Sequence, residues 1–225
     1  MGFWRQLLDH GSGFDLDVER WIVLDVETSG LNPKRDRLLS IAALGLRVPA
    51  DSGSPKIDFS DSFEVALGQA QDRSIPAAAE RDNILIHGIG LGAQASGQDP
   101  AQALAAFCEF VGRSPLIAFH SAFDQTLIER YMVQFLGSRL PNPWIDLEHV
   151  AAVLYKQPRR LALDDWLRRF DVRCAARHQA VADTLATSEL LLKLWPRLKE
   201  RATANWDGFS RTASEVDFLA GRAKY

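Results

Sequence analysis

The hydrophobic period of this 225-residue chain changes once along its length, and that change constrains the fold more than any other feature. Residues 21–27, 38–48 and 57–67 alternate or run apolar in the manner of strands. They are separated by Gly30-Leu-Asn-Pro33 and Pro49-Ala-Asp-Ser-Gly-Ser-Pro55, connections short enough for an antiparallel meander. After a polar stretch at 69–83 the pattern becomes helical, with short strands between helices. Helices are predicted over 100–111, 123–136, 147–155, 163–170 and 179–194, and strands over 115–119 and near 144–145. Three meander strands followed by alternating helices and strands make an α/β chain with a mixed sheet.

Composition narrows the function classes. Hydrophobic residues at 47% with 24% charged describe an ordinary globular chain, and 26 Lys+Arg against 29 Asp+Glu leave a formal charge of −3. A nonspecific basic coat for nucleic acid is therefore excluded, and a polyanion would need a local basic face or a metal site. Cys108 and Cys174 form no C-x-x-C, which removes zinc-ribbon and disulfide-framework readings and suggests reduced thiols. The residues after Met1 contain no apolar h-region, and the longest mostly apolar stretch, 38–46, is too short to span a bilayer. The expectation is a cytoplasmic protein with no membrane partner.

The chemistry lies in carboxylates placed where apolar residues are expected. Asp25 and Glu27 interrupt an apolar strand, and the period of two puts both on one sheet face, about 7 Å apart along the strand. Asp-x-Glu also occurs at 17/19 and 146/148, but only the pair at 25/27 lies inside a strand that reads as buried. Two ionised groups there are costly without a cation, unless the pair sits at an exposed strand end. Asp124 opens a helix whose Leu127, Ile128, Tyr131 and Phe135 share its face, although a first-turn acid can equally serve the helix dipole. Asp183 heads a similar stripe of Ala186, Thr187, Leu190 and Leu194.

Four acids on buried faces call for divalent metal. With oxygen donors alone and no His or Cys cluster, Mg²⁺ or Mn²⁺ suits better than zinc. Two such ions are the usual device for in-line displacement at phosphorus. His178, five residues before Asp183, is available as a base, since imidazoles titrate at about 6.5. Five residues turn a helix by about 140°, so the two side chains can converge only if His178 lies on the loop before the helix.

The ordered set Asp25-x-Glu27, Asp124 and His178-x4-Asp183 resembles the three motifs of the DEDDh, or DnaQ-like, 3′–5′ exonucleases, the family that includes the proofreading ε subunit of bacterial DNA polymerase III. Ile22-Val-Leu-Asp-Val-Glu-Thr-Ser-Gly-Leu31 resembles the first motif, Leu116-Ile-Ala-Phe-His-Ser-Ala-Phe-Asp124 the second, and His178-Gln-Ala-Val-Ala-Asp-Thr-Leu-Ala-Thr187 the third. Ile86-His-Gly-Ile89 is similar to a further short signature. The resemblance spans roughly residues 21–195.

It implies an RNase H-like fold, a five-stranded mixed sheet flanked by helices, within residues 21–200, between an N-terminal extension (1–20) and a tail (201–225). It also implies two divalent ions, Mg²⁺ or Mn²⁺, with Asp25, Glu27 and Asp183 on the ion that activates water. Asp25 would bridge to the second, which Asp124 would hold, and His178 would be the general base. Thr28, Leu31 and Phe123 would contact the 3′-terminal nucleotide, although packing or turn formation accounts for each equally well. The implied reaction is hydrolysis of nucleic acid, DNA first, from a 3′ end to nucleoside 5′-monophosphates, with a DNA polymerase as a further partner. An exoribonuclease and a polymerase-associated binding subunit without turnover are the alternatives. One position departs from the pattern: His120 stands where many members carry an amide, which affects nucleotide handling there but not the acidic set.

Other residues have plainer readings. Arg159, Arg160, Arg168, Arg169, Arg173 and Arg177 could gather phosphates, although a solvated face suits most of them. Lys34, Arg35 and Arg37 follow the first motif and either steer a strand or keep a loop soluble. Asp146 and Asp164 read as helix N-caps, and His87 and His149 as satisfied or surface histidines. Trp21, Trp144, Trp166 and Trp195 read as core. Gly88, Gly90 and Gly92 lack a strand-to-helix frame, so no nucleotide cofactor is expected. For the tail, with Trp206, Phe209 and Phe218, a docked helix and a free end both remain open.

Overall fold

The computed structural model describes residues 16–50, 53–68, 92, 96–157, 159–201 and 204–216. The signature at 86–89, His87, Gly88, Gly90, Phe218 and most of the N-terminal extension lie outside them. Five strands, β1 (Arg20–Thr28), β2 (Leu38–Arg47), β3 (Lys56–Ala66), β4 (Leu116–Ala118) and β5 (Trp144–Asp146), form one sheet in the order β3-β2-β1-β4-β5. The first two pairings are antiparallel and the last two parallel. The meander and the mixed sheet therefore form as the change of hydrophobic period implies.

Six helices complete the described fold: α1 (Pro100–Val111), α2 (Ala122–Leu136), α3 (Leu147–Leu154), α4 (Leu163–Arg169), α5 (Ala180–Arg201) and α6 (Trp206–Ser214). Among the described residues no helix is long and apolar enough to cross a membrane. Two helices differ from the sequence reading. In α5 the helix continues through Pro196 to Arg201, because Trp195 and Leu198 extend the buried stripe beyond Leu194. The proline forfeits one backbone hydrogen bond, but the apolar face beyond it keeps the chain helical. In α4 the N-cap is Ala162, not Asp164, which sits in the first turn. Asp146 does cap α3, accepting from Glu148 N–H at 3.0 Å.

Strand β1 runs through the middle of the sheet, which explains its near-continuous apolar sequence. Its even residues, Ile22, Leu24 and Val26, join a core with Leu104 and Phe107 of α1 and Leu127, Ile128 and Met132 of α2. On α2, Met132 takes the inward place expected of Phe135, which is exposed. The odd residues Trp21 and Val23 join the opposite core, built from α3, α4, α5 and α6. There Trp21 meets Trp195 at 5.6 Å, Trp206 at 5.4 Å and Phe209 at 5.0 Å between ring centroids. Trp166 and Trp195 are core as expected, whereas Trp144 is only partly buried. Among the tail residues, those of α6 form a helix docked on Trp21.

Candidate active site

Asp25 and Glu27 continue the odd face of β1 beyond Trp21 and Val23, so they point toward the layer that contains α5. At Glu27/Thr28 the β1–β2 register slips, with Thr28 opposite Leu38 rather than Leu39. A bulge of this kind bends the strand and re-aims its last side chains. The displaced N–H of Leu38 donates to the Tyr131 hydroxyl of α2 at 3.1 Å, which ties the bulge to that helix.

Asp183 lies in the first turn of α5 and is 5% exposed. One ligand oxygen each from Asp25, Glu27 and Asp183 fall within 4.8 Å of one another. Two strand residues and one helix residue thus form a compact oxygen-donor triplet. Asp124 stands outside that triplet but on the same cavity, in the first turn of α2 and 4% exposed. Since β1 and β4 are parallel, all four carboxylates collect at the carboxyl ends of adjacent parallel strands, where open α/β sheets place their crevices.

The cavity is a cleft of about 540 Å³ lined by all eight residues expected to carry a catalytic, metal-binding or nucleotide-contacting role. Asp25, Glu27, Asp124 and Asp183 share it with His178, Thr28, Leu31 and Phe123. Leu31 stands at its mouth, 94% exposed. The Thr28 hydroxyl is engaged in the turn, donating to the Gly30 carbonyl at 2.5 Å, so its side chain shapes the rim. Phe119, Ala162 and Leu163 also line the cleft and were not singled out from the sequence. Apolar side chains on short connections carry no chemical signature, so only the fold reveals them.

Crowded carboxylates resist ionisation. Burial pushes Asp25 well above the usual carboxylate range, and Asp124, Glu27 and Asp183 add to the effect while Arg177 opposes it. Glu27 is pushed up to about 7, by burial first and Asp183 second, again against Arg177. Asp124 is raised by burial, partly offset by hydrogen bonding to the backbone N–H groups of Asp124 and Val26. Such a set is poorly neutralised by water alone. Its hard, oxygen-only donors fit a divalent cation of the Mg²⁺ or Mn²⁺ type.

His178 lies on the turn two residues before α5, which satisfies the geometric condition for approaching Asp183. Its φ is +61°, a left-handed conformation that costs a non-glycine residue about 1–2 kcal/mol. Its N–H donates to Asp183 Oδ2 at 2.9 Å, a charge-assisted bond that holds the turn in place. Asp183 Oδ1 accepts from Arg177, whose Nε also binds Asp164 Oδ1 at 2.5 Å.

His120 adopts the same left-handed conformation, φ +60°, which suits the amide it replaces and which histidine also tolerates. Its N–H donates to Asp146 Oδ1 at 2.9 Å. Burial lowers the pKa of its ring, so the imidazole facing the cleft is neutral at physiological pH. His149 is part of a half-buried polar group with Asp146 at 3.5 Å and Arg160 at 2.8 Å, and is satisfied as expected.

Residues 22–191 match the family model described as Exonuclease. Among curated relatives, a DNA polymerase III PolC-type protein of Clostridium perfringens is 28% identical over 192 residues, covering 85% of this chain and 12% of that protein. A DNA polymerase III subunit epsilon-like protein of Rhodobacter capsulatus is 30% identical over 193 residues, covering 83% of this chain and 25% of that protein. The chain thus spans at most a quarter of the length of these two relatives. Among solved structures, the zinc-bound E. coli ExoI–ssDNA complex aligns with a TM-score of 0.65 at 18% identity, over 81% of this chain and 43% of that one. Cell-death related nuclease 4 (CRN-4) aligns at 0.59 and 15% identity, over 83% and 66%. These two likenesses establish the exonuclease RNase H-like fold.

Proposed function

Because the chain belongs to the DnaQ-like exonuclease family, we propose that it hydrolyses single-stranded or frayed nucleic acid from the 3′ end, DNA in preference, releasing nucleoside 5′-monophosphates. The observation that carries the proposal is the convergence of Asp25, Glu27 and Asp183 to within 4.8 Å in a cleft that also contains Asp124 and His178.

In this reading Asp25, Glu27 and Asp183 would hold one divalent ion, and Asp124, with Asp25, would hold a second. When bound, the ions supply Lewis acidity to the attacking water and to the departing oxygen. His178 accepts the proton of that water on an imidazole nitrogen, which a loop position permits and a helical one would not. The new bond joins water oxygen to phosphorus, and the bond to the 3′ oxygen of the preceding nucleotide breaks. The terminal nucleotide leaves with a 5′-phosphate, and the shortened strand ends in a 3′-hydroxyl. Leu31 and Phe123 flank the terminal base, an apolar contact that reads no sequence.

Relatives named as DNA polymerase III components support DNA as substrate, a polymerase as partner and a cytoplasmic setting. The ExoI complex with ssDNA supports a single-stranded end, as a property of that protein. The test is to incubate linear and circular single strands of DNA and RNA with Mg²⁺. Mononucleotides from linear DNA, with none from circles and slower release from RNA, are expected. Faster release from RNA selects an exoribonuclease, and no release from any strand selects a binding subunit.

A further inference from the structure

Arg177 faces a conflict that the motif residues alone do not reveal. Its side chain bridges two helices, with Nε on Asp164 Oδ1 in the first turn of α4 and Nη1 on Asp183 Oδ1 in the first turn of α5. It is 27% exposed, lines the acidic cleft, and opposes the upward shifts of both Asp25 and Glu27. The oxygen it occupies belongs to one of the three carboxylates that converge within 4.8 Å. The other Asp183 oxygen is already bound to the His178 N–H. A divalent ion drawing on Asp183 Oδ1 would sit against the guanidinium and the Cys174 thiol that already donate to that oxygen, and like charge sets ion and guanidinium in competition there.

We propose that Arg177 is a resident counter-ion of the acidic triplet, pinned by Asp164, and that metal enters by displacing it from Asp183. The proposal rests on the metal-dependent reading above. Two buried or half-buried aspartates and a glutamate would repel one another in a metal-free protein, and the guanidinium offsets that repulsion. Displacement does not strand the arginine, because its Nε bond to the half-exposed Asp164 remains available. The result is a site that stays folded without metal and binds metal more weakly than its donor set alone would allow. Lysine in this place would keep the charge but lose the fork that grips two carboxylates at once.

The test is calorimetric titration of Mn²⁺ into chelator-stripped wild type, Arg177→Gln and Arg177→Lys without nucleic acid, with Asp25→Asn as the control for the site. Both Arg177 variants are expected to bind Mn²⁺ roughly fivefold tighter or more, the scale of one charge-assisted contact. Metal-stripped Arg177→Gln is expected to melt below wild type and to recover when Mn²⁺ is added. Wild-type affinity in Arg177→Lys would reduce the effect to net charge and overturn exchange, as would weaker binding in either variant. Equal Mn²⁺ binding by wild type and Asp25→Asn would overturn the metal site itself, a failure distinct from unchanged affinity in the Arg177 variants alone.

Discussion

Thr184 donates a hydrogen bond to the carbonyl of Ala42 at 3.3 Å, and Ala42 stands opposite Asp25 in the β1–β2 ladder. The residue after Asp183 is thereby fastened to the residue beside Asp25. Two acids far apart in sequence are held in register by a contact that is not itself acidic. Thr184→Val keeps the shape and removes the bond, taking one hydrogen bond away from the Ala42 carbonyl in the β1–β2 ladder. A loss of about 1 kcal/mol in denaturant unfolding is expected, together with a several-fold higher Mg²⁺ requirement for cleavage. An unchanged Mg²⁺ requirement would show that the helix needs no such fastening.

The raised carboxylates give the metal-free protein an unusual pH dependence. Glu27 titrates at about 7 in the folded chain against 4.5 as its ordinary value, and Asp25 and Asp124 shift in the same direction. Between those values the folded protein keeps protons that the unfolded chain has released, so this contribution is complete below 4.5 and is lost as pH rises through 7. Chelator-treated protein should melt at a lower temperature at pH 7.5 than at pH 5.5. Added Mg²⁺ or Mn²⁺ should raise the melting temperature at pH 7.5 more than at pH 5.5. Thermal melts across that range, with and without metal, are the check.

His178→Ala removes the proposed base while leaving the backbone N–H that binds Asp183. Single-turnover cleavage should fall by roughly 10²–10⁴ with Mn²⁺ affinity nearly unchanged. A variant that cleaves at the normal rate would free the histidine from this role.

Phe209→Ala empties a fully buried position packed 5.0 Å from Trp21 between ring centroids. Loss of about 3–5 kcal/mol is expected by chemical denaturation, with cleavage per folded molecule retained below the new midpoint. A negligible loss would detach α6 from the core.

The three-strand meander, the mixed sheet and the positions of five helices were legible because β1, β2 and β3 are strand-length segments joined by short connections and α1, α2 and α5 carry apolar stripes. The placement of Asp25, Glu27, Asp124 and Asp183 on one cleft was legible too, since each interrupts or heads an apolar pattern. The end of α5 was hidden by Pro196, although Leu198 four residues after Leu194 carried the signal. Whether residues 206–214 dock could not be read, because Trp206 and Phe209 find their partner in Trp21, at the opposite end of the chain. Arg177 was visible only as one cation among several. Its pairing with Asp164, thirteen residues earlier, depends on how the loop between α4 and α5 turns, and no local pattern encodes that.

The central claim is that Asp25 serves a metal-dependent reaction and not the fold. The most direct measurement compares wild type with Asp25→Asn on a 5′-labelled single strand of DNA in Mg²⁺, with thermal melts of both proteins without metal. Wild type should produce a ladder shortening from the 3′ end. Asp25→Asn should leave the strand intact while melting no lower than wild type, because a carboxylate under repulsion has been neutralised. Laddering by Asp25→Asn at the wild-type rate, or laddering by wild type in excess chelator, would contradict the account.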